Sequence, residues 1–112
     1  MRGSNDESFE NLASVLKALA NPTRLKILAL CSSHERSSRE LREALGISKP
    51  LLIAHLRILL RTGLLSYRIE VDEERGVIRK YYRTEDFRIC VSREYLSKLS
   101  QGGGGALTHS KS

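Results

Sequence analysis

The sequence predicts a mainly α-helical fold with a small antiparallel β hairpin (α+β), and three observations lead to this fold class. Apolar residues recur at spacings of three and four over most of residues 6–62, which is typical of amphipathic helices. The spacing changes to strict alternation after Gly63, which is typical of strands. A short acidic turn that contains glycine, at 72–76, separates two β-rich segments, and this arrangement indicates a hairpin.

The length and composition describe one compact, basic domain. A chain of 112 residues suits a single hydrophobic core, and its formal net charge of +6 favours a polyanionic partner. We expect residues 1–5 to be flexible and residues 6–100 to form the domain. The glycine-rich tail at 101–112 is expected to be disordered, because it has too few apolar residues to bury.

The sequence predicts a cytoplasmic protein with no membrane partner. The longest nearly apolar run, Leu51–Leu60, is too short to span a bilayer and contains His55 and Arg57. The chain begins with MRGSNDESFE, which is polar and acidic and lacks the layout of a secretory signal. Cys31 and Cys90 are too few and too far apart for a metal-binding knuckle. We expect two buried free thiols, with a disulfide or a thiol switch as the alternatives.

Two helices are predicted in the first third of the chain. The first runs from about Asp6 to Leu19, with one apolar face. Asn21 and Pro22 favour a new helix start, because asparagine caps well and proline at the first helical position loses no hydrogen bond. The apolar face of the first helix consists of Phe9, Leu12, Ala13, Leu16, Leu19 and Ala20, and the second helix is expected to bury Leu25, Ile27, Leu28 and Cys31.

A third, short helix is predicted at about 38–45. Ser37 and Glu40 have the spacing of a capping box, in which each side chain bonds to the backbone of the other residue. Gly46 is a favourable residue for ending the helix. The expected apolar face is Leu41, Ala44 and Leu45.

The fourth helix is predicted at 48–62 and follows the third after a very short turn. Ser48 is suited to cap it, Pro50 lies in its first turn and Gly63 ends it. Two helices joined by so tight a turn are the signature of a helix-turn-helix. The expected core residues on the fourth helix are Leu52, Leu56 and Leu59.

The last part of the fold is predicted to be a hairpin followed by a helix. Leu65, Tyr67, Ile69 and Val71 alternate with polar residues, which indicates a half-buried strand, and VIRKYYR at 77–83 returns as its partner. Residues 86–91 alternate like a short strand, with a helical state as the alternative. A final helix follows Ser92, which is suited to cap it.

Elements in this order describe a winged helix-turn-helix domain with flanking dimerisation helices. Between Leu16 and Leu65, the segments LKALANPTRLKIL, ELREALGIS and HLRILLRTGLL resemble the arsenical-resistance-repressor (ArsR) family of bacterial and archaeal transcriptional regulators. The segment YRIEVDEERGVIRKYYR extends the resemblance to Arg83. The resemblance implies a homodimeric DNA-binding regulator, a repressor, that uses the 67–83 hairpin as its wing.

The fourth helix is the predicted recognition helix, because a helix fits the major groove and its first residues usually meet the bases. Four positive residues and no acidic one lie between Ala44 and Ile69, where phosphate would approach. The wing adds basic residues, but its acidic turn offsets them and can pair with Arg75 and Arg79. A solvated basic surface without a partner is the alternative. The candidate DNA contacts are Ser48, Lys49, Pro50, Ile53, Ala54, Arg57, Arg61, Arg75, Arg79 and Lys80.

Two further expectations concern apolar surfaces. Ile53 and Ala54 occupy positions where the family usually has polar residues that reach DNA, so hydrogen bonding to bases should be sparse. A winged-helix protein-interaction module with an apolar patch at Leu51 and Ile53 is therefore the alternative function. His55 is expected to be packed or to touch phosphate. The expected dimer contacts are Phe9, Leu12, Leu16, Tyr95, Leu96 and Leu99.

The sequence predicts no metal, no cofactor and no enzymatic activity. Many members of the family bind a soft metal through two cysteines on the helix before the recognition helix, but the matching stretch here is Ser37–Arg39. A second family site uses Asp, His and Glu on the last helix, where this chain offers Glu94 without a histidine. The predicted fold also lacks a glycine-rich phosphate loop and an acid–base pair. No small-molecule or redox effector is assigned.

Overall fold

The computed structural model describes residues 4–101, with side chains from residue 8 onward. The helices and strands in this range confirm the predicted winged helix-turn-helix fold. The first helix begins at Ser4, inside the segment predicted to be flexible. Residues 1–3 and most of the tail predicted to be disordered, 102–112, lie outside the described residues. The elements are α1 (Ser4–Leu19), α2 (Pro22–Ser33), β1 (Arg36–Ser37), α3 (Ser38–Leu45), α4 (Lys49–Arg61), β2 (Leu65–Asp72), β3 (Val77–Thr84) and α5 (Arg93–Ser100).

The helix starts follow the predicted caps. Asn21 Oδ1 accepts a hydrogen bond from the Arg24 backbone N–H at 3.1 Å, and Ser48 Oγ accepts one from the Leu51 N–H at 3.3 Å. Gly46 ends α3 with a φ of 65°, in the left-handed region that glycine adopts without steric cost. Gly46 and the Ser48 cap therefore fix the two ends of the short turn between α3 and α4.

The capping box at the start of α3 is also present. The Ser37 backbone N–H donates to Glu40 Oε1 at 2.9 Å, and the Glu40 N–H donates to Ser37 Oγ at 3.2 Å. The first of these bonds is the largest cause that lowers the pKa of the Glu40 carboxyl below its ordinary value. The reciprocal pair satisfies two backbone donors that a helix start otherwise leaves without a partner.

We expect the Ser37→Ala variant to lower the free energy of unfolding by about 1 kcal/mol, because alanine leaves the Glu40 N–H without its acceptor. Urea denaturation of the variant and the parent protein measures this difference. Ser38→Ala is the matched control, since the Ser38 side chain has no hydrogen-bond partner among the described residues. Equal stabilities of all three proteins would contradict the role of the capping box.

The core is formed where the helices close over the base of the sheet. α4 contributes Leu52, Leu56 and Leu59, which are at most 3% exposed. Thr84 Oγ1 donates to the Leu28 carbonyl at 2.7 Å and ties the end of β3 to α2. The other buried members of the cluster are Val15, Ala18, Ile27, Leu28, Cys31, Leu41, Leu64, Leu65 and Tyr82. The leucine face of α4 is therefore inside the protein, and its opposite face is left at the surface.

Part of the predicted apolar pattern on α2 and α3 was wrong, and the stripe predicted on α1 is only partly buried. On α1, Leu12 of the predicted apolar stripe is buried and Leu19 is half-buried, together with Val15 and Ala18, which the stripe did not include. The other members of the stripe are exposed: Phe9, Ala13, Leu16 and Ala20. Leu25 and Ala44 were expected to be buried, but both are exposed. The physical reason is that a short helix touches its neighbours along a narrow strip, so apolar residues beside that strip stay in solvent.

The wing is a three-stranded antiparallel sheet with the order β1-β3-β2. The β2–β3 hairpin confirms the prediction, whereas β1, which pairs Arg36 with Tyr82, was not foreseen. The prediction of a half-buried β2 was wrong beyond Leu65, because Tyr67, Ile69 and Val71 are 45–58% exposed. No helix covers this distal part of the hairpin within the described residues, and the elongated 54 × 33 × 27 Å envelope is consistent with a protruding wing.

The segment between the sheet and α5 is extended but is not a regular strand. Only Arg88 forms a bridge within 86–91, and Phe87 and Ile89 pack against the core. Ser92 Oγ accepts a hydrogen bond from the Tyr95 N–H at 3.0 Å and caps α5 as predicted. α5 packs against α1, so the first and last helices lie side by side.

Candidate nucleic-acid interface

The surface of α4 opposite the buried leucines contains most of the predicted DNA contacts. Lys49, Ile53 and Arg57 follow one another at a spacing of four residues, so they form a ridge along one side of the helix. Ile53 is 37% exposed at the centre of this ridge. The exposed predicted contacts on and beside α4 are Ser48, Lys49, Pro50, Ile53, Ala54, Arg57 and Arg61.

A cleft of about 450 Å³ lies between the ridge on α4 and the wing. Lys49 and Arg57 line it from the helix, and Lys80 lines it from β3. The remaining lining residues are Ser38, Leu52, Ile53, Leu56, Leu60, Ile78 and Tyr82. The cleft therefore has a largely apolar lining and three basic side chains around it.

The basic side chains of the cleft have no carboxylate partner in the described part of the chain. Neither Lys49 nor Arg57 forms an ion pair or a side-chain hydrogen bond within residues 8–101. Lys80 Nζ lies 4.7 Å from the centroid of the Tyr67 ring, which is a cation–π contact. Their positive charges are not neutralised by the described acidic residues.

Arg68 behaves differently from the other basic residues near α4. Its Nε lies 2.8 Å from Glu35 Oε1, and its Nη1 lies 3.0 Å from Glu70 Oε2. Of the four positive residues between Ala44 and Ile69, Arg68 is therefore paired with carboxylates. The positive surface that remains on α4 consists of Lys49, Arg57 and Arg61.

The wing residues predicted to contact DNA are spread over different places. Alternation along β3 directs Arg79 and Lys80 to opposite faces of the hairpin. Arg79 lines a second recess, of about 490 Å³, beside the start of α3, and Lys80 lines this recess as well as the cleft. Arg75 lies in the turn at the tip, where its backbone N–H donates to Asp72 Oδ1 at 3.3 Å. Neither arginine has an ion pair among the described residues, so the surface pairing that the sequence suggested is not present there.

The comparisons with known proteins agree with this geometry. A family model described as "Bacterial regulatory protein, arsR family" matches residues 21–67, from the cap of α2 into β2. An uncharacterized HTH-type transcriptional regulator of Methanocaldococcus jannaschii is 30% identical over 83 residues, which cover 74% of this chain and 85% of the relative. The chain belongs to the ArsR family.

Two other ArsR-like matches extend the comparison. The arsenical resistance operon repressor of Staphylococcus xylosus is 36% identical over 61 residues, which cover 54% of this chain and 59% of that repressor. The solution structure of a homodimeric winged helix-turn-helix DNA-binding domain from Mycobacterium bovis has a TM-score of 0.63 and 30% identity, and covers 90% of this chain and 82% of that one. The match to the solved domain therefore spans the helices and the wing together.

In this ArsR-family chain, Arg24 on α2 connects α4 to the end of α1. Its Nε donates to the Ala18 carbonyl at 2.7 Å, and its Nη2 donates to the Lys17 carbonyl at 3.0 Å. Its Nη1 lies 3.2 Å from Nδ1 of His55 on α4. Because a guanidinium only donates, His55 Nδ1 accepts, and the imidazole is neutral with its proton on Nε2. His55 is therefore packed and hydrogen-bonded within the protein, which agrees with the first of its two expected roles.

Burial and, to a smaller extent, the Arg24 guanidinium lower the pKa of His55 below its ordinary value of 6.5. The unfolded chain then binds this proton more readily than the folded protein. The contribution of neutral His55 to stability is complete above pH 6.5 and is lost as the pH falls through the lower, folded pKa.

We expect the melting temperature to fall less between about pH 7.5 and about pH 5.5 in His55→Gln than in the parent protein. Glutamine keeps an acceptor for Arg24 but cannot titrate. Differential scanning calorimetry at the two pH values makes the comparison. His34→Gln, which removes an exposed imidazole beyond the end of α2, is the control and should retain the parental dependence. Identical pH dependence of the His55 variant and the parent would contradict the assignment.

The two cysteines have different surroundings, although both are free. Cys31 is buried as expected, and burial raises the pKa of its thiol to about 11, which keeps it protonated and unreactive near neutral pH. Cys90 was expected to be buried as well, but it is exposed. The reason is that Cys90 alternates with Ile89 along an extended segment, and only Ile89 packs against the core.

The described residues offer neither a metal site nor a bilayer span. Within residues 4–101, no three His, Cys, Asp or Glu side chains come together in a way that would hold a metal ion. None of the helices in the described part of the chain combines the length and the apolar composition that a bilayer span requires.

The sequence analysis did not identify several residues of the cleft, nor the contact that joins α2 to α4. Ile78 carried a detectable signal, because it lies two positions before Lys80 on β3 and so shares its face. Leu60, which is partly buried beside the leucine core, was not among the predicted site or core residues. The Arg24–His55 bond joins residues 31 positions apart, and no local pattern marks it.

Proposed function

We propose that this protein is a homodimeric repressor that binds double-stranded DNA, inserting α4 of each protomer into the major groove. The observation that carries the proposal is the cleft between α4 and the wing, with Lys49, Arg57 and Lys80 unpaired by carboxylates among the described residues. Phosphate oxygens are the partners that lysine and arginine favour at such sites. Ser48, Pro50, Ile53 and Ala54, near the start of α4, are then closest to base edges.

The wing is proposed to follow the DNA backbone mainly through the part nearest the helices. Lys80 lies beside α4 there, and alternation along β3 directs Arg79 to the other face. The tip contains Asp72, Glu73 and Glu74, which phosphate would repel. We therefore assign a smaller role to Arg75 than to Lys80, while Arg61 extends the positive surface at the end of α4.

The proposed dimer uses α1 and α5, which lie side by side in each protomer. Phe9, Leu16 and Leu96 are 37–40% exposed on these helices, and burying such apolar surface against a second copy is favourable. Leu12 and Leu99 are at most 5% exposed within one protomer. They support the α1–α5 packing and leave Phe9, Leu16, Tyr95 and Leu96 as the proposed contacts. The M. bovis domain is homodimeric, which supports a homodimer here.

The direction of regulation and the location are further parts of the proposal. The S. xylosus relative is named as an operon repressor, which supports repression. A regulator of this kind acts on chromosomal DNA, so we place it in the cytoplasm. Catalytic activity is not part of the proposal, because the matched family and relatives are named for regulation.

A gel shift with a random-sequence duplex at about 50 mM and about 200 mM salt tests the DNA-binding function. We expect a complex at about micromolar protein and low salt that weakens strongly at the higher salt. No complex at either salt concentration would contradict the proposal. Native mass measurement of the free protein tests the dimer, for which we expect twice the 12.6 kDa mass of one chain.

A protein-interaction module is the second candidate, because Leu51 and Ile53 are 47% and 37% exposed on α4. Such apolar side chains on a recognition helix are suited to an apolar partner surface as well as to DNA. The same gel shift separates the two functions. If the protein is only an interaction module, no complex with the duplex is expected. If it is a repressor, a complex is expected, and its stability should depend on the salt concentration.

A further inference from the structure

The exposed surface in the first half of α4 is largely apolar and offers very few groups that can form hydrogen bonds to bases. Pro50, Leu51, Ile53 and Ala54 are all exposed, and none of their side chains has a donor or an acceptor. Ile53 is the one among them that lines the cleft beside the wing. Hydrogen-bonded base recognition by these four side chains is therefore excluded by their chemistry.

The surroundings of Ile53 indicate which ligand covers it. Lys49 and Arg57 lie one helical turn before and after Ile53, about 6 Å away along the axis in each direction. Lys80 faces the same cleft from the wing. None of these three cations has an ion pair within residues 8–101. An apolar side chain flanked by cations complements a ligand that has an apolar group flanked by anions. A DNA groove has this layout, because the phosphates of the two strands flank the base edges.

The major groove presents one apolar group that differs between base pairs, the C5-methyl group of thymine. We propose that Ile53 is a specificity-determining residue that packs against a thymine methyl group in each half-site. The apolar surface of α4 then distinguishes A·T from G·C pairs by contact with this methyl group. This inference rests on the proposed DNA-binding function and names the feature of the DNA that α4 recognises.

The test replaces thymine by uracil, which keeps the base-pairing edge and the O4 acceptor but lacks the methyl group. The probe is a duplex selected by this protein from a random pool, with its thymines replaced one at a time. At one thymine in each half-site, we expect the dissociation constant to rise about fourfold, the effect of removing one buried methyl group. Replacement at both symmetry-related positions should raise it about fifteenfold.

Two variants assign the effect to Ile53. Ile53→Ala should bind the thymine and uracil duplexes with nearly equal affinity, because alanine does not reach the methyl group. Leu51→Ala removes an exposed leucine from the same helix that does not line the cleft, and it should keep the parental fourfold preference for thymine. Thermal melting of both variants verifies that the fold is retained.

The outcomes distinguish this inference from the function on which it rests. Equal binding of thymine and uracil duplexes at every position, with salt-sensitive binding intact, overturns the inference and leaves the repressor function in place. A thymine preference that persists in Ile53→Ala assigns the methyl contact to another residue and also overturns it. Failure to select or bind any duplex contradicts the proposed function itself.

Discussion

Replacing Leu59 by alanine is expected to lower the free energy of unfolding by about 2–5 kcal/mol, the largest stability effect that we predict. The Leu59 side chain is 0% exposed and belongs to the central cluster, so the variant loses burial and leaves a cavity. The same leucine holds the inner face of α4 against the core. Urea denaturation monitored by circular dichroism measures the change.

Leu51→Ala is the matched control for this experiment, because Leu51 lies on the same helix and is 47% exposed. We expect the control to change the stability by no more than about 0.5 kcal/mol. If both substitutions lower the free energy of unfolding by the same amount, α4 does not have the buried leucine face and the exposed face described above.

The double substitution Arg57→Ala and Lys80→Ala is expected to weaken duplex binding by on the order of a hundredfold. Each protomer of a dimer would lose two phosphate contacts, so the plot of log affinity against log salt should become shallower by about 3 to 4. Both residues line the cleft and have no carboxylate partner among the described residues. Fluorescence anisotropy with a labelled duplex over a range of salt gives both quantities.

The control substitution, Lys26→Ala with Arg93→Ala, removes two positive charges from α2 and α5 instead. It changes the net charge by the same amount as the Arg57→Ala and Lys80→Ala double variant, but it should reduce the affinity for the duplex much less. Equal losses in the two double variants would show that net charge, and not the cleft, determines DNA binding.

The helix boundaries could be predicted from the sequence because caps act locally. Asn21 with Pro22, and Ser37 with Glu40, fix their helix starts through residues at most three positions away. Exposure was harder to predict, since alternation in β2 tells which residues share a face but not whether another element covers that face. For this reason Ile69 was expected to be half-buried but is 53% exposed.

The candidate site was predicted in part. Lys49, Ile53 and Arg57 come together because helical spacing determines their ridge, and Lys80 joins them from the wing. Arg79 was grouped with Lys80 although neighbours on a strand point to opposite faces. The Arg24 link could not be predicted, because it requires the fold to bring α2 against α4.

Selection of bound duplexes from a random pool tests the proposed function most directly. If two copies of α4 enter successive major grooves, the selected sites should be pseudo-palindromic, with half-sites about 10 base pairs apart from centre to centre. Protection of the DNA should then appear on one side of the duplex. A pool that shows no enrichment, or single half-sites without a symmetric partner at this spacing, would contradict a dimeric winged-helix regulator that presents α4 to DNA.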